Sequence, residues 1–286
     1  METISPDKTG YIHADNFEIY WEYFGKGDKE VLCLLNGIAM FTKSWYQTVA
    51  SLMKDFDVIL YDYPGQGAST SDDVEYNMSR FCDYLAMIMD ENNVKKLHLT
   101  GISYGGFVAF EFARKYPERL HTLTISGAII TYEKLYDVNR LNSYLLLDKA
   151  PFEIFPPLLY ERIFGEQFYL KVEPLLESMQ QKLYERYKDR VHCIKRLIET
   201  QGEYLDNVKN KPEMYKKIAI PTLVMYGEED TLIPPWTQER IKEVIQNCKT
   251  VKIIGSGHVV YLEKPEIFFG NMINFMKAKS LDFKQV

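Results

Sequence analysis

Three side chains, far apart in the chain, have the types and the order that nucleophilic acyl chemistry requires. Ser103 lies between glycines in LTGISYGGFVAFEFARKYP (residues 99–117), Asp230 lies in PTLVMYGEEDTLIPP, and His258 lies in VKIIGSGHVVYLEKP. A serine hydroxyl is a weak nucleophile until a base takes its proton, and the base needs an acid to orient it. Each of the three follows a short run rich in Val, Ile and Leu, so each is expected just past the end of a strand.

Ser103 sits where a strand-like run, KLHLTGI, meets a helix-like one, YGGFVAFEFARKY. A sharp strand-to-helix turn crowds its neighbours and strains its central residue. Gly101 and Gly105, two positions away on each side, relieve that crowding. The turn would hold the hydroxyl proud of the sheet and leave the Tyr104 backbone N–H, at the helix start, facing a developing oxyanion. A second N–H is expected from Ile38, in the loop NGIAMFTKSW after the run VLCLL. The plainer reading makes Ile38 a pocket-lining residue.

Rivals exist for the other two roles. Glu228 and Glu229 adjoin Asp230, and Asp230 itself could cap a helix near Trp236, although Thr237 is closer. His13, His98, His121 and His192 lack a comparable strand-end setting. No two histidines stand at metal-ligand spacing, so neither a metal nor an organic cofactor is expected.

The elements that must position these residues are legible in outline. FEIYWEYF alternates with period two after a turn at residues 14–16 and reads as half of a hairpin. The apolar runs at 31–35, 57–62, 96–102, 123–128, 221–227 and 250–255 suit strands buried on both faces. Helical patterns occupy 44–55, opening on Ser44, and 78–93, 236–248 and 265–279. Alternating strand and helix predicts an open, mostly parallel α/β sheet, with ligands beyond the carboxyl ends of its strands. Between 129 and 220 the alternation stops. That aromatic-rich stretch is too long for a loop and predicts a helical cap over residues 131–204, inserted in a core made of 1–130 and 205–286.

Composition narrows the partners. A net charge of −6 over 286 residues, with no basic cluster, weighs against nucleic acid and anionic membranes. No apolar run is long enough to span a membrane, and no secretory signal is visible. The four cysteines are scattered without a CxxC pair, which predicts reduced thiols and a cytoplasmic setting. If Phe152, Phe155, Leu158 and Tyr160 of the cap line a site, they predict a small-molecule substrate with an apolar acyl chain.

Along nearly its whole length the chain resembles the α/β-hydrolases. The likeness rests on Asn36-Gly37, YDYPGQGAS, the elbow GISYGG, GEEDTLIP and GSGH. It implies an eight-stranded, mostly parallel sheet and acyl chemistry without a cofactor. A serine at the elbow argues against the dehalogenases and epoxide hydrolases of that fold, which carry Asp there. Asn36-Gly37 and Asp62-Tyr63-Pro64 depart from the commoner His-Gly and Asp-x-Arg. With Thr42-Lys43-Ser44-Trp45 they are similar to bacterial hydroxyacyl transferases of rhamnolipid and polyhydroxyalkanoate precursor synthesis. The expectation is therefore a serine hydrolase acting on an ester or thioester. Its rivals are an acyltransferase using the same acyl-enzyme and, from another class, a ligand receptor of this fold with little turnover.

Overall fold

The computed structural model describes residues 4–286. Its centre is a sheet of eight strands: β1 (Lys8–Ala14), β2 (Phe17–Phe24), β3 (Val31–Leu35), β4 (Asp57–Tyr61), β5 (Leu97–Ile102), β6 (Leu120–Ser126), β7 (Thr222–Gly227) and β8 (Cys248–Ile253). Their order is β1-β2-β4-β3-β5-β6-β7-β8. β1 and β2 form a hairpin on Asp15 and Asn16, at φ 53° and 68°, a left-handed pair that Asp and Asn tolerate. β2 also runs antiparallel to β4, and every pairing from β4 to β8 is parallel.

Parallel strands need crossovers, and helices supply them. They are α1 (Tyr46–Leu52), α2 (Met78–Glu91), α3 (Tyr104–Lys115), α4 (Lys134–Lys149), α5 (Phe155–Ile163), α6 (Glu166–Tyr187), α7 (Val191–Asn210), α8 (Pro235–Glu239), α9 (Ile241–Val244), α10 (Val260–Glu263) and α11 (Pro265–Ala278). Phe81, Leu85, Phe107 and Val108 of α2 and α3 pack on one face of the sheet. Val49, Leu52, Phe268 and Phe275 of α1 and α11 pack on the other. With both faces covered, β3, β4 and β5 are buried throughout, as their unbroken apolar runs require.

Strand order reverses between β3 and β5: the chain leaves β3 for β4 on one side and returns to β5 on the other. Such a switch point opens a crevice at the carboxyl ends of the strands. The registers Leu35↔Gly101 and Ile102↔Ser126 bring the ends of β3, β5 and β6 level there.

Two helical expectations are corrected. The stretch from residue 44 opens as a single 3-10 turn, Thr42–Trp45, before α1. The stretch 236–248 breaks into α8 and α9. Ile245 turns extended because Cys248 must already pair with Thr222 in β8.

Between β6 and β7 stand four helices, α4 to α7, and no strand. α7 runs unbroken across 204–205, where the sequence suggested a boundary. Its first half packs within the insertion through Ile194 and Ile198. Its second half belongs to the main core through Tyr204, Leu205 and Val208, and the Tyr204 hydroxyl donates to the Ile129 carbonyl at 3.0 Å. No helix among the described residues is long and apolar enough to cross a membrane. All four cysteines are free, and Cys33, Cys82 and Cys193 are buried.

His98, on β5, serves the fold rather than the chemistry. Its ring is buried between Thr122 Oγ1 at 2.8 Å and Glu30 Oε2 at 3.2 Å, with His121 beside it. Burial outweighs the Glu30 carboxylate and pulls its pKa down to about 4. An unfolded chain, with histidine near pH 6.5, binds this proton first, so the contribution is whole above that pH and is lost as pH falls through 4. Denaturant unfolding should therefore show about 2 kcal/mol less loss between pH 7 and 4.5 in His98→Gln than in the parent. An unchanged difference would mean the imidazole does not drive acid lability.

Candidate active site

Ser103 sits on the turn between β5 and α3, with φ 50° and ψ −120°. A non-glycine residue held there stores about 1–3 kcal/mol of strain, which the surroundings must enforce. The Ser103 N–H donates to the Ser126 carbonyl at 2.7 Å, and its own carbonyl accepts from Gly106 N–H at 2.8 Å. The flanking glycines are required by space. A Cβ on Gly101 would lie 2.2 Å from the Gly105 carbonyl oxygen, and one on Gly105 would lie 2.5 Å from that of Leu35. The side chain is left half-buried, lining a cavity of about 160 Å³.

His258 and Asp230 meet in the same place. The His258 Nδ1 lies 2.9 Å from Asp230 Oδ2, and both side chains are almost wholly buried. The carboxylate is held from every side: Oδ1 accepts from the backbone N–H groups of Leu232 (3.0 Å) and Ile233 (2.8 Å), and Oδ2 also accepts from Gln238 Nε2 at 3.0 Å. The His258 ring lines the cavity with Ser103, and its Nε2 has no hydrogen-bond partner among the described residues. The end of β6 links the two: Ser126 anchors the serine backbone, while a Cβ on the next residue, Gly127, would come within 2.5 Å of the imidazole. Gly127 N–H in turn donates to Gln238 Oε1 at 2.8 Å.

The rivals lie elsewhere. Glu228 accepts from Gly255 N–H at 3.4 Å, and Glu229 accepts from Glu166 N–H at 2.9 Å, and neither is bonded to a histidine among the described residues. Thr237 bonds the Pro234 carbonyl at 2.6 Å, and Asp230 organises the turn before α8 while also holding His258. His192 faces the Ser71 carbonyl at 2.7 Å and His13 faces Glu18 at the surface.

The loop after β3 is fixed by side chains that sequence reasoning missed. The Gly37 carbonyl accepts from buried Gln66 Nε2 at 2.9 Å and from Met40 N–H at 3.2 Å. Because the peptide is planar and trans, the Ile38 N–H then points the opposite way. Gly37 and Ile38 line the cavity with Ser103. The Tyr104 N–H, in the first turn of α3, has no intrahelical acceptor. The residues behind the transferase likeness are tied into the loop and its neighbours: Asn36 accepts from Trp45 Nε1 at 2.8 Å and donates to the Tyr61 carbonyl, and Ser44 accepts from Phe41 N–H. Asp62 holds Thr42 N–H at 2.7 Å and Ala68 N–H at 3.0 Å, and burial pushes its pKa up to about 6.

Of the aromatic and apolar positions expected from the insertion, only Phe155 lines this cavity. Phe152 stacks on Phe155 and Tyr184, Tyr160 stacks on Phe164, and Leu158 lines a neighbouring hollow. Leu159 and Ile163, one turn apart on α5, take the expected role. The insertion is tied to the site. Ile163 carbonyl accepts from His258 N–H at 2.9 Å, and Glu263 accepts from Gly257 N–H (2.9 Å) and Gly165 N–H (3.2 Å). The two glycine backbones touch, since a Cβ on Gly257 would lie 2.4 Å from Gly165 N.

Comparison with known proteins agrees with this architecture. A family model described as alpha/beta hydrolase fold matches residues 30–265. A putative carbamate hydrolase, RutD, from Azorhizobium caulinodans is 23% identical over 280 residues, covering 93% of this chain and 97% of that protein. Human monoacylglycerol lipase ABHD6 is 24% identical over 304 residues, covering 94% and 82%. The solved structure of MGS-M2, an alpha/beta hydrolase enzyme from a Medee basin deep-sea metagenome library, superposes with a TM-score of 0.86 at 24% identity, covering 97% of this chain and all of that one. An eight-stranded sheet with a serine on the turn after its fifth strand, matched by the family model over most of its length, identifies the chain as a member of the α/β-hydrolase family of enzymes.

Proposed function

We propose that the protein is a serine hydrolase that cleaves a carboxylic ester or thioester through an acyl-enzyme on Ser103. The observation that carries this reading is the buried Asp230–His258 pair, whose ring lines the same cavity as the strained serine and whose Nε2 has no partner among the described residues. The imidazole takes the Ser103 proton at Nε2 as Oγ attacks the substrate carbonyl. The N–H groups of Ile38 and Tyr104 receive the oxyanion. Collapse of the adduct breaks the bond to the leaving alcohol or thiol, which takes the proton from His258. Water, deprotonated by the same nitrogen, then releases the acid and restores Ser103. Asp230 keeps the proton on Nδ1, so that Nε2 is always the basic nitrogen.

Relatives named as a carbamate hydrolase and a monoacylglycerol lipase support carbonyl chemistry of this kind. The apolar side chains beside Ser103, including Phe155, Leu159 and Ile163, support an apolar portion in the substrate, with the helices from α4 to the middle of α7 acting as its cap. Asn36 is bonded to Trp45, and Ser44 to the Phe41 N–H, within the loop after β3, so their likeness to acyl transferases gives no preference for transfer. The free, largely buried thiols support a reducing, cytoplasmic setting.

Intact-mass analysis after incubation with a panel of acyl esters and thioesters tests the reading. An adduct of acyl mass mapping to the peptide of Ser103, with free acid as product, is the expected result. Accumulation of a new ester when an alcohol is added would favour transfer, and an adduct on another residue would overturn the mechanism.

A further inference from the structure

The cavity above Ser103 has two unlike walls. Met40, Phe155, Leu159, Ile163, Val259 and Tyr261 make one of them apolar. The other, formed where α4 and α7 pack together, carries the polar side chains Asn139, Arg140, Ser143 and Gln201, with Ile198 as an apolar member. Gln201 is only 5% exposed, and Tyr136 lines the cavity with it. A buried polar group left without a partner is costly, so a ligand able to pair with this wall gains what a plain hydrocarbon cannot.

The charge on this wall is already balanced. Arg140 Nε and Nη2 lie 3.1 and 2.8 Å from Asp137 Oδ1, and Nη1 donates to the Ile198 carbonyl at 3.3 Å. The other Asp137 oxygen accepts from the Tyr132 hydroxyl at 3.2 Å. The guanidinium lies against Gly202, where a Cβ would come within 3.1–3.3 Å of it. Arg140 is thus seated and neutralised, and it is the one arginine or lysine of the cavity lining among the described residues. A substrate carboxylate would be stripped of water and meet no free cation. A hydroxyl meets what it needs: Ser143 Oγ donates to the Asn139 carbonyl at 3.0 Å and keeps its lone pairs to accept, while the side-chain amide of Asn139 can donate.

We propose that this wall is a subsite for a neutral hydrogen-bonding group, a hydroxyl, carried by the substrate at a distance from the scissile carbonyl. The inference rests on the Ser103 hydrolase reading and narrows its substrate class to esters that are apolar along one side and hydroxylated at one end.

The test uses the full-length protein and p-nitrophenyl esters of hexanoic acid, ω-hydroxyhexanoic acid and the adipic half acid, with a second series carrying the same three end groups on the alcohol arm. In at least one series kcat/KM should rise about tenfold from the methyl to the hydroxyl end and fall again for the carboxylate. In Ser143→Ala and Gln201→Leu the hydroxyl-to-methyl ratio, taken within each variant, should collapse toward one. A parent enzyme that prefers the methyl or the carboxylate end in both series overturns the inference, whatever the variants do. Labelling of the parent by a fluorophosphonate separates the two readings. If Ser103 is labelled and plain hexanoate is cleaved without a hydroxyl preference, only the subsite fails. If Ser103 is not labelled, the hydrolase reading fails with it.

Discussion

Ser103→Ala is expected to lower kcat on p-nitrophenyl acyl esters by at least about 10⁴-fold, because removing the nucleophile leaves only binding and the oxyanion donors to act on the ester. The Cβ stays, so the backbone strain at φ 50° stays with it, and stability should change little. Ser103→Gly separates the two properties. Glycine reaches this conformation without a Cβ penalty, so this variant should be equally inactive yet about 1 kcal/mol more stable than Ser103→Ala in denaturant unfolding. Full activity in Ser103→Ala would end the acyl-enzyme reading. Equal stability of the two variants would mean that the turn stores no strain.

Most of this site was readable because its parts obey local rules. A serine with glycines two places away declares a tight turn, and strand-then-loop marks where Asp230 and His258 leave the sheet. The sheet itself followed from apolar runs such as 31–35 and 57–62, whose burial on both faces needs helices on each side. What the sequence concealed depends on contacts between distant segments. Gln238, the link between Asp230 and Gly127 N–H, looks like any glutamine on an amphipathic helix, and its partner lies 111 positions away. Gln66, which sets the peptide at Ile38, is equally anonymous, with its bond 29 positions off. The insertion was ambiguous for a related reason. An aromatic stripe packs against its own helices as readily as against a ligand, and only the fold separates Phe155 from Phe152. Asn36 misled by type: it invited a functional comparison, yet it serves the loop through Trp45 and Tyr61.

Asp230→Asn is expected to cost about as much as the serine, roughly 10⁴-fold in kcat, although it changes one atom. Two backbone N–H groups, of Leu232 and Ile233, point at Oδ1, so the amide of the variant must turn its oxygen there or leave both donors facing its NH₂. With that oxygen in place, the NH₂ group faces His258 Nδ1 and the Gln238 Nε2, which is itself a donor tied to the Ile233 carbonyl at 2.8 Å. The imidazole then accepts at Nδ1 and carries its proton on Nε2, the nitrogen that must be bare to receive the Ser103 proton. The loss should fall on kcat and on the rate of fluorophosphonate labelling, with KM nearly unchanged, because Asp230 lies behind the ring and does not line the cavity. Glu228→Gln, in the same loop but bonded only to Gly255 N–H and an exposed lysine, should stay within about twofold of the parent. The reverse pattern, a dead Glu228→Gln beside an active Asp230→Asn, would mean that the acid had been assigned to the wrong carboxylate.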